Sequence, residues 1–577
     1  MNIFNELWRD LKKSAQVIGL DEVIWEEAAL EIPKDHLNGD ISTNLAMIIA
    51  AKQKQNPREV ALQLKEHFSH IEYLAHIEVA GPGFINFTIK AKKWHECINS
   101  ILSEETHFWD CNIGNQKKIN IEFVSANPTG PMHVGHARGA VYGDVLANIL
   151  LKCGYDVTKE YYINDAGSQI DTLLDSAFIR YRESVTGENL EIAEGLYPGD
   201  YLIAVGQKLA QIFGKELLNI ERTAMRAKIK KIVVDAMLEL IKSDLKKLGV
   251  HHDVFFSEQL LHEDGSIQAA VEILRNKGLI YRGSLPAPKG KVDENWQPKE
   301  QLLFKSSDYG DDQDRPVQKG DNSWSYLAAD FAYAKNKIER GFETLIYILG
   351  ADHSGYVKRI KAVIDALGDG KVQSDIRISQ LVNFVKEGKP IKMSKRSGNF
   401  MTVSDVTDYV SKDIIRFIML TRRNDMTLDF DFDKVKEQSK DNPVFYVQYA
   451  NVRLNSILSK AQEISPEAYQ KFADGEFDLS LLSSEIEIQL IKTLAAWPRT
   501  LSSAAKFFEP QRIAYYLIDV ASQFHAIWHL GKGQTDYRFV IEDNADYTAA
   551  KLALAEAIQR VLRAGFEVIG IDPMEKM

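Results

Sequence analysis

The chain has 577 residues, of which 45% are hydrophobic and 26% charged, with a formal net charge of −11 and a pI of about 5.8. That size and composition suit roughly three or four globular domains with sizeable cores. The acidic balance excludes indiscriminate nucleic-acid binding but leaves room for a local basic face.

No apolar run approaches the ~20 residues that a membrane span requires. The N-terminus, MNIFNELWRDLKKSAQVIGL, spreads charges through an apolar repeat and reads as an amphipathic helix rather than a signal peptide. Cys97, Cys111 and Cys153 lie far apart, with no Cys/His cluster at zinc spacing. The expectation is a cytoplasmic protein with no membrane partner and no zinc.

Residues 1–110 read as an N-terminal α+β domain. Helical runs at 3–18, 42–55 and 58–68 precede two β-rich stretches in IEVAGPGFINFTI (77–89), punctuated by Gly81, Pro82 and Gly83. With 11 Lys/Arg against 17 Asp/Glu, this domain offers phosphates at most a local cluster. Residues 111–435 alternate strand-like runs, KINIEFV (118–124), TLIYILG (344–350) and QLVNFV (380–385), with helices at 136–152 and 355–367. Such alternation predicts a parallel sheet flanked by helices. The stretch from about 155 to 300 is too long for a crossover and mostly helical, so it reads as an insertion. Within it, 207–250 holds 10 Lys/Arg against 5 Asp/Glu, either a solvated helix face or one that meets phosphates. Residues 436–577 are almost wholly helical, with apolar periodicity through 444–461, 484–509, 510–531 and 547–566, and read as a bundle with its own core. PVFYVQYANVR (443–453) and PQRIAYYLIDVASQFHAIWHLG (510–531) interleave aromatic and polar residues. Most of these aromatics suit a core; exposed ones could stack unpaired bases.

Two segments carry the chemistry. In NPTGPMHVGH (127–136), Asn127, Pro128, Gly130 and Pro131 end a strand, and apolar spacing resumes with Ala140, Val141, Val145, Ile149 and Leu150. His133 and His136 therefore fall at a strand-to-helix turn, where Gly135 would let a nucleotide approach the backbone. A helix N-terminus offers free N–H groups and a positive dipole end to phosphate, and imidazoles can stabilise charge growing at an α-phosphorus. Two histidines at a helix start can equally cap it. The second segment, KMSKR (392–396), lies between Gly388-Lys389-Pro390 and Ser397-Gly398-Asn399. Its lysines suit a pyrophosphate leaving group, although a basic loop alone is usually plain surface. Together the segments point to ATP split at the α-phosphate.

HVGH with KMSKR, on an α/β core followed by a helical bundle, resembles the class I aminoacyl-tRNA synthetases. Longer segments are similar to the bacterial arginyl-tRNA synthetases over nearly the whole chain: GDISTNLAM (39–47), GPGFINFTI (81–89), EFVSANPTGPMHVGHARGAVYGD (122–144), YYINDAGSQI (161–170), YPGDYL (197–202), SYLAADFAY (325–333), GADHSGYVKR (350–359) and LDFDFDKVKEQSKDNPVFYVQYANVR (428–453). The resemblance implies an α/β Rossmann-type catalytic core at 111–435, an N-terminal α+β domain at 1–110 that contacts the tRNA elbow, and a C-terminal all-α helical-bundle domain at 436–577 that binds the anticodon. It also implies attachment of L-arginine to tRNA(Arg) through arginyl-adenylate, with ATP and Mg²⁺, and an activation step that needs bound tRNA.

Carried over residue by residue, the resemblance assigns catalysis to His133, His136, Lys392 and Lys395. ATP falls to Asn127, Gly130, His133, Gly135, His136, Gly350, Asp352, His353 and the run Lys392, Met393, Ser394, Lys395. Arginine falls to Glu122, Asn127, Tyr326 and Asp330, and no protein-held metal is expected. Tyr326 and Asp330 share a helix face, so that Asp330 can accept the guanidinium fork; Asp352 can bond ribose hydroxyls or merely complete a turn. Nothing suggests an obligate interface, and the expectation is a monomer. A small-molecule nucleotidylyltransferase, a non-catalytic tRNA-binding relative and a synthetase for another amino acid share parts of this pattern. The flanking domains, the intact signatures, and Asp330 with Glu122 and the longer segments oppose these in turn.

Overall fold

The computed structural model describes residues 2–15, 22–33, 35, 38–103, 108–109, 111–285, 300–319, 321–391, 401–439 and 441–576. A five-stranded sheet lies at its centre. Strands β1 (Lys118–Phe123), β2 (Asp156–Ile163), β3 (Val254–Ser257), β4 (Thr344–Gly350) and β5 (Gln373–Ser379) pair in parallel throughout, in the spatial order β5-β4-β1-β2-β3. β1 is buried on both faces, as a central parallel strand must be. Ile119, Ile121 and Phe123 alternate with buried Asn120 and Glu122. From β1 the chain builds outward to β2 and β3, then returns to add β4 and β5 on the opposite side. Strand order reverses between β1 and β4, and a crevice opens at their carboxyl ends.

Helix Ala137–Lys152 follows β1 and packs against Phe123. Gly143 permits that approach, since a Cβ there would come within 2.3 Å of the phenyl ring. Helix Tyr326–Glu339 covers the other face, where Lys337 meets Glu122 and Tyr333 meets Glu160.

The stretch 155–300 is not an insertion throughout, because β2 and β3 belong to the central sheet. Helices Ser168–Thr186, Tyr201–Phe213 and Arg222–Lys247 fill the interval between them. β2 hides in the sequence because its interior carries Lys159 and Glu160, which are neutralised by the distant Asp144 and Arg340. The predicted strand at 380–385 forms as Val382–Lys386, but pairs with Leu428–Asp431 and Lys389–Pro390 in a separate small sheet. The edge of the main sheet on this side is β5, whose polar sequence QSDIRIS matches its partial exposure. The periodic run 484–509 divides into helices Glu485–Ala495 and Trp497–Phe507, with Pro498 at the break, where it removes a backbone donor.

The N-terminal residues form a four-stranded antiparallel sheet (Leu30–Glu31, Ile41–Thr43, Phe84–Ile89, Leu74–Ala80) with helices beside it. Its last helix, Ala91–Leu102, lies on the C-terminal bundle. There His95 Nε2 bonds the Leu482 carbonyl at 2.9 Å, and Arg560 donates to the Leu102 carbonyl at 2.7 Å. Arg416, fully buried, donates to the carbonyls of Ile569 (2.7 Å) and Leu248 (3.0 Å) and to the Asp144 carboxylate (2.6 Å). It joins the bundle to the helix that follows the histidines. Among the described residues, no helix is long and apolar enough to cross a membrane.

Candidate active site

β1 ends at Phe123, one residue earlier than its apolar pattern suggests. Val124 and Ser125 follow with φ of 70° and 41°, a conformation that costs of order 1–3 kcal/mol per residue and is worst for a β-branched side chain. Neighbouring groups hold it. Ser125 N–H donates to Phe123 O (3.0 Å), Tyr162 N–H to Ser125 Oγ (3.0 Å), and the Tyr161 hydroxyl to Ala126 O (2.6 Å). The strained turn brings Val124 and Asn127 into the crevice wall.

Further along, Gly130 (φ 155°) has a different task. A Cβ there would lie 2.8 Å from the Tyr201 ring, whose hydroxyl donates to Thr129 O at 2.8 Å. Gly130 seats the helix Tyr201–Phe213 against the loop and lines neither cavity described below. At the turn itself, Gly135 N–H donates to His133 Nδ1 at 2.9 Å. With Nδ1 accepting, the neutral ring carries its proton on Nε2. The His133 and His136 rings stand 6.2 Å apart at 81°.

The histidine turn is bonded to the chain that follows the lysine signature. Val134 N–H donates to Met401 O (3.0 Å) and Val403 N–H to Met132 O (2.9 Å), pairing His133 with Thr402 in antiparallel register. Lys392, Met393, Ser394 and Lys395 themselves lie outside the described residues.

Two cavities meet at the point where strand order reverses. One, of about 880 Å³, runs over the histidine turn and is lined by His133, Gly135 and His136, with Gln169 and Tyr197 from the helical interval. The other, of about 490 Å³, runs toward helix Tyr326–Glu339 and is lined by Glu122, Glu258, Tyr326, Asp330 and His353. Asn127, His136, Gly350 and Asp352 border both. Asn127 Nδ2 donates to Gln169 Oε1 at 2.9 Å. Asp352 and His353 are exposed at the mouth, 3.5 Å apart. Thus the structure gathers every expected site residue that it describes, Gly130 excepted, around one crevice.

The smaller cavity is acidic. Glu122 accepts from Lys337 Nζ at 2.6 Å; Lys337 is 0% exposed and lies between the Tyr333 and Tyr347 rings, 4.3 and 4.1 Å from their centres. Glu258, which the sequence reading missed, is buried at the start of the helix directly after β3. Only recognition of β3 would have marked it, as a residue at the carboxyl end of a parallel strand. Burial pushes the Asp330 carboxyl up to about 7, helped by Glu258 and Glu122 and opposed by Arg359. Burial likewise raises Glu258, against its bonds to His262 and Tyr162. Beneath them, burial opposes the charge on Glu160, but Lys337, Arg340 and Tyr333 outweigh it and hold this carboxyl below its usual range. Three carboxylates around one cavity repel each other, and a cation entering it relieves that repulsion. Among the described residues, no three or more His, Cys, Asp or Glu are grouped to hold a metal ion.

Comparison with known proteins fits this arrangement. The family model for the class I (R) catalytic domain of tRNA synthetases matches residues 97–458, that for the arginyl tRNA synthetase N-terminal domain residues 5–89, and that for the DALR anticodon binding domain residues 447–577. An arginine–tRNA ligase of Rickettsia bellii is 59% identical over 577 residues, and one of Rickettsia felis 58%, each alignment covering 100% of both chains. An arginyl tRNA synthetase structure from Campylobacter jejuni has 31% identity and a TM-score of 0.71, covering 85% of this chain and 100% of that one. The Thermus thermophilus arginyl-tRNA synthetase shares the fold, with a TM-score of 0.74 at 19% identity and full coverage of both chains. With its catalytic model matched over more than half its length and close relatives aligned end to end, the chain belongs to the arginyl-tRNA synthetase family.

Proposed function

We propose that this arginine–tRNA ligase forms arginyl-adenylate in the crevice between β1 and β4, and that this activation step needs bound tRNA. The acidic cavity carries the reading: Glu122, Glu258 and Asp330 surround one space. Asp330 accepts the guanidinium fork, which an ammonium cannot reproduce, with Tyr326 beside it on the same helix face. Glu122, oriented by Lys337, and Glu258 supply the remaining negative charge. A neutral isostere such as citrulline would leave Asp330 without a cationic partner and is rejected on binding.

The substrate's other end then lies at Asn127, where the two cavities meet. MgATP occupies the larger cavity, its phosphates over the histidine turn and its ribose near Gly350 and Asp352. The arginine carboxylate attacks the α-phosphorus in line, and pyrophosphate leaves. His133, donating from Nε2, and His136 stabilise the charge that develops, and Lys392 and Lys395 neutralise the leaving group. Positioning and charge stabilisation carry the rate, since the step needs little acid–base chemistry. The 2′-hydroxyl of the terminal adenosine of tRNA next takes the arginyl group.

The anticodon bases are assigned to the bundle. A cavity of about 680 Å³ there is lined by Tyr449, Arg453, Trp528 and Lys532. The Arg453 guanidinium lies 4.1 Å from the Tyr449 ring centre and 5.2 Å from that of Trp528. Aromatic faces with adjacent cations are suited to stacked, unpaired bases.

Arginine-dependent ATP–pyrophosphate exchange, measured with and without tRNA(Arg), tests the proposal. Exchange is expected only with tRNA present. Equal exchange without tRNA would overturn the tRNA requirement, and no arginine-dependent exchange in either case would overturn the assignment of the crevice.

A further inference from the structure

A carboxylate outside both cavities connects the two signatures. Asp244 lies on helix Arg222–Lys247, within the basic stretch 207–250, and is 3% exposed. One of its oxygens accepts the N–H of Met132, the residue before His133, at 2.7 Å; the other accepts the Ser404 hydroxyl at 2.9 Å. Lys247 Nζ also donates to Ser404 Oγ, at 2.8 Å. Ser404 continues the segment 401–403, already paired with the histidine turn and following the lysine signature in the chain. Helix Arg222–Lys247 has apolar contacts enough to dock, through Ile229, Val233, Met237, Ile241 and Leu245. Burial of Asp244 opposes its ionisation, and its carboxyl stays above the usual range despite the bonds from Met132 and Ser404. Docking alone would be served better by another apolar residue.

We infer that Asp244 is a positioning residue for the reaction: it sets the spacing between the histidine turn and the chain leaving the lysine signature, and ties that spacing to helix Arg222–Lys247. The inference rests on the reading of these signatures as the ATP site. Asp244 touches no substrate. It acts through Met132 and Ser404, so its loss changes turnover rather than arginine binding, because the arginine cavity lies on the other side of the crevice.

The variants S404A, D244A, D244N and D244A/S404A test this by tRNA-dependent pyrophosphate exchange, with melting temperature recorded for each. S404A removes the Ser404 hydroxyl, and with it the bonds to Asp244 and Lys247 on the lysine side, at a partly exposed helix start, and keeps the fold. Its kcat is expected to fall about tenfold, with the KM for arginine within about twofold of wild type. D244A falls at least as far, and the double variant no further than D244A, because one linkage is cut in both. D244N recovers most of the rate, since its amide oxygen accepts from Met132 while its NH₂ donates to Ser404 Oγ. A wild-type kcat in S404A, a KM for arginine that rises in step with the loss, or additive losses in the double variant would overturn the inference. If wild type fails to exchange at all, the reading of the site has failed. If H136A is slow while S404A is normal, only the role of Asp244 has.

Discussion

Lowering the pH from 8 to 6 is expected to weaken arginine binding through Asp330. Burial, with Glu258 and Glu122 nearby, raises this carboxyl from the usual 3.8 to about 7. In the empty pocket its ionised fraction then drops from about nine-tenths at pH 8 to about one-tenth at pH 6. Only the ionised form accepts both guanidinium N–H groups, so the apparent affinity falls about tenfold over that interval, and binding near pH 7 releases a proton. The sign for stability is opposite. The folded, arginine-free chain holds this proton more tightly than the unfolded chain. Asp330 therefore contributes stability that is fully present below about pH 4 and lost as pH rises through about 7, at most about 4 kcal/mol. Arginine supplies the missing cation and restores that stability, so it should raise the melting temperature more at pH 8 than at pH 6. KM for arginine measured by tRNA-dependent exchange across pH 6–8.5, with thermal shifts alongside, reads both effects. D330N should bind arginine weakly and without the pH slope. A flat KM in wild type, or a slope that survives in D330N, would refute the assignment of Asp330 to the guanidinium.

Replacing His136 or Lys395 by alanine should lower turnover by about 10²–10³ with folding intact; exchange at the wild-type rate in either variant would remove that residue from the mechanism. K337M leaves Glu122 buried without its cation beside two further carboxylates, which should cost about 3–5 kcal/mol. Saturating arginine should recover part of the lost melting temperature, and an unchanged melting temperature would show that the ion pair contributes nothing to the fold.

The site was legible wherever its residues are neighbours along the chain. The histidine turn is written within NPTGPMHVGH, because a strand, its Pro/Gly break and the next helix are each local patterns. Tyr326 and Asp330, which the family resemblance put on one helix face, sit one turn apart on helix Tyr326–Glu339. Glu258 was missed because β3 is four residues long and its pattern, VFFS, is too short to identify. β2 was missed because Lys159 and Glu160 look like surface charges until their partners are known. Gly130 was assigned to ATP as part of a glycine-containing loop, yet its neighbour is Tyr201, 71 positions further along the chain.

By itself, then, the sequence determined the family, the order of α/β and helical parts, and the residue types that the crevice brings together. The order of parts follows from interactions between residues a few positions apart, and the family from short segments that each carry their own pattern. The tertiary structure alone decided which charges are paired and which face the crevice without a cation. Lys337 reaches Glu122 across 215 positions, and Asp244 reaches Met132 across 112 and Ser404 across 160. The electrostatics of a buried carboxylate depend on what folding packs around it, and no local pattern records those partners.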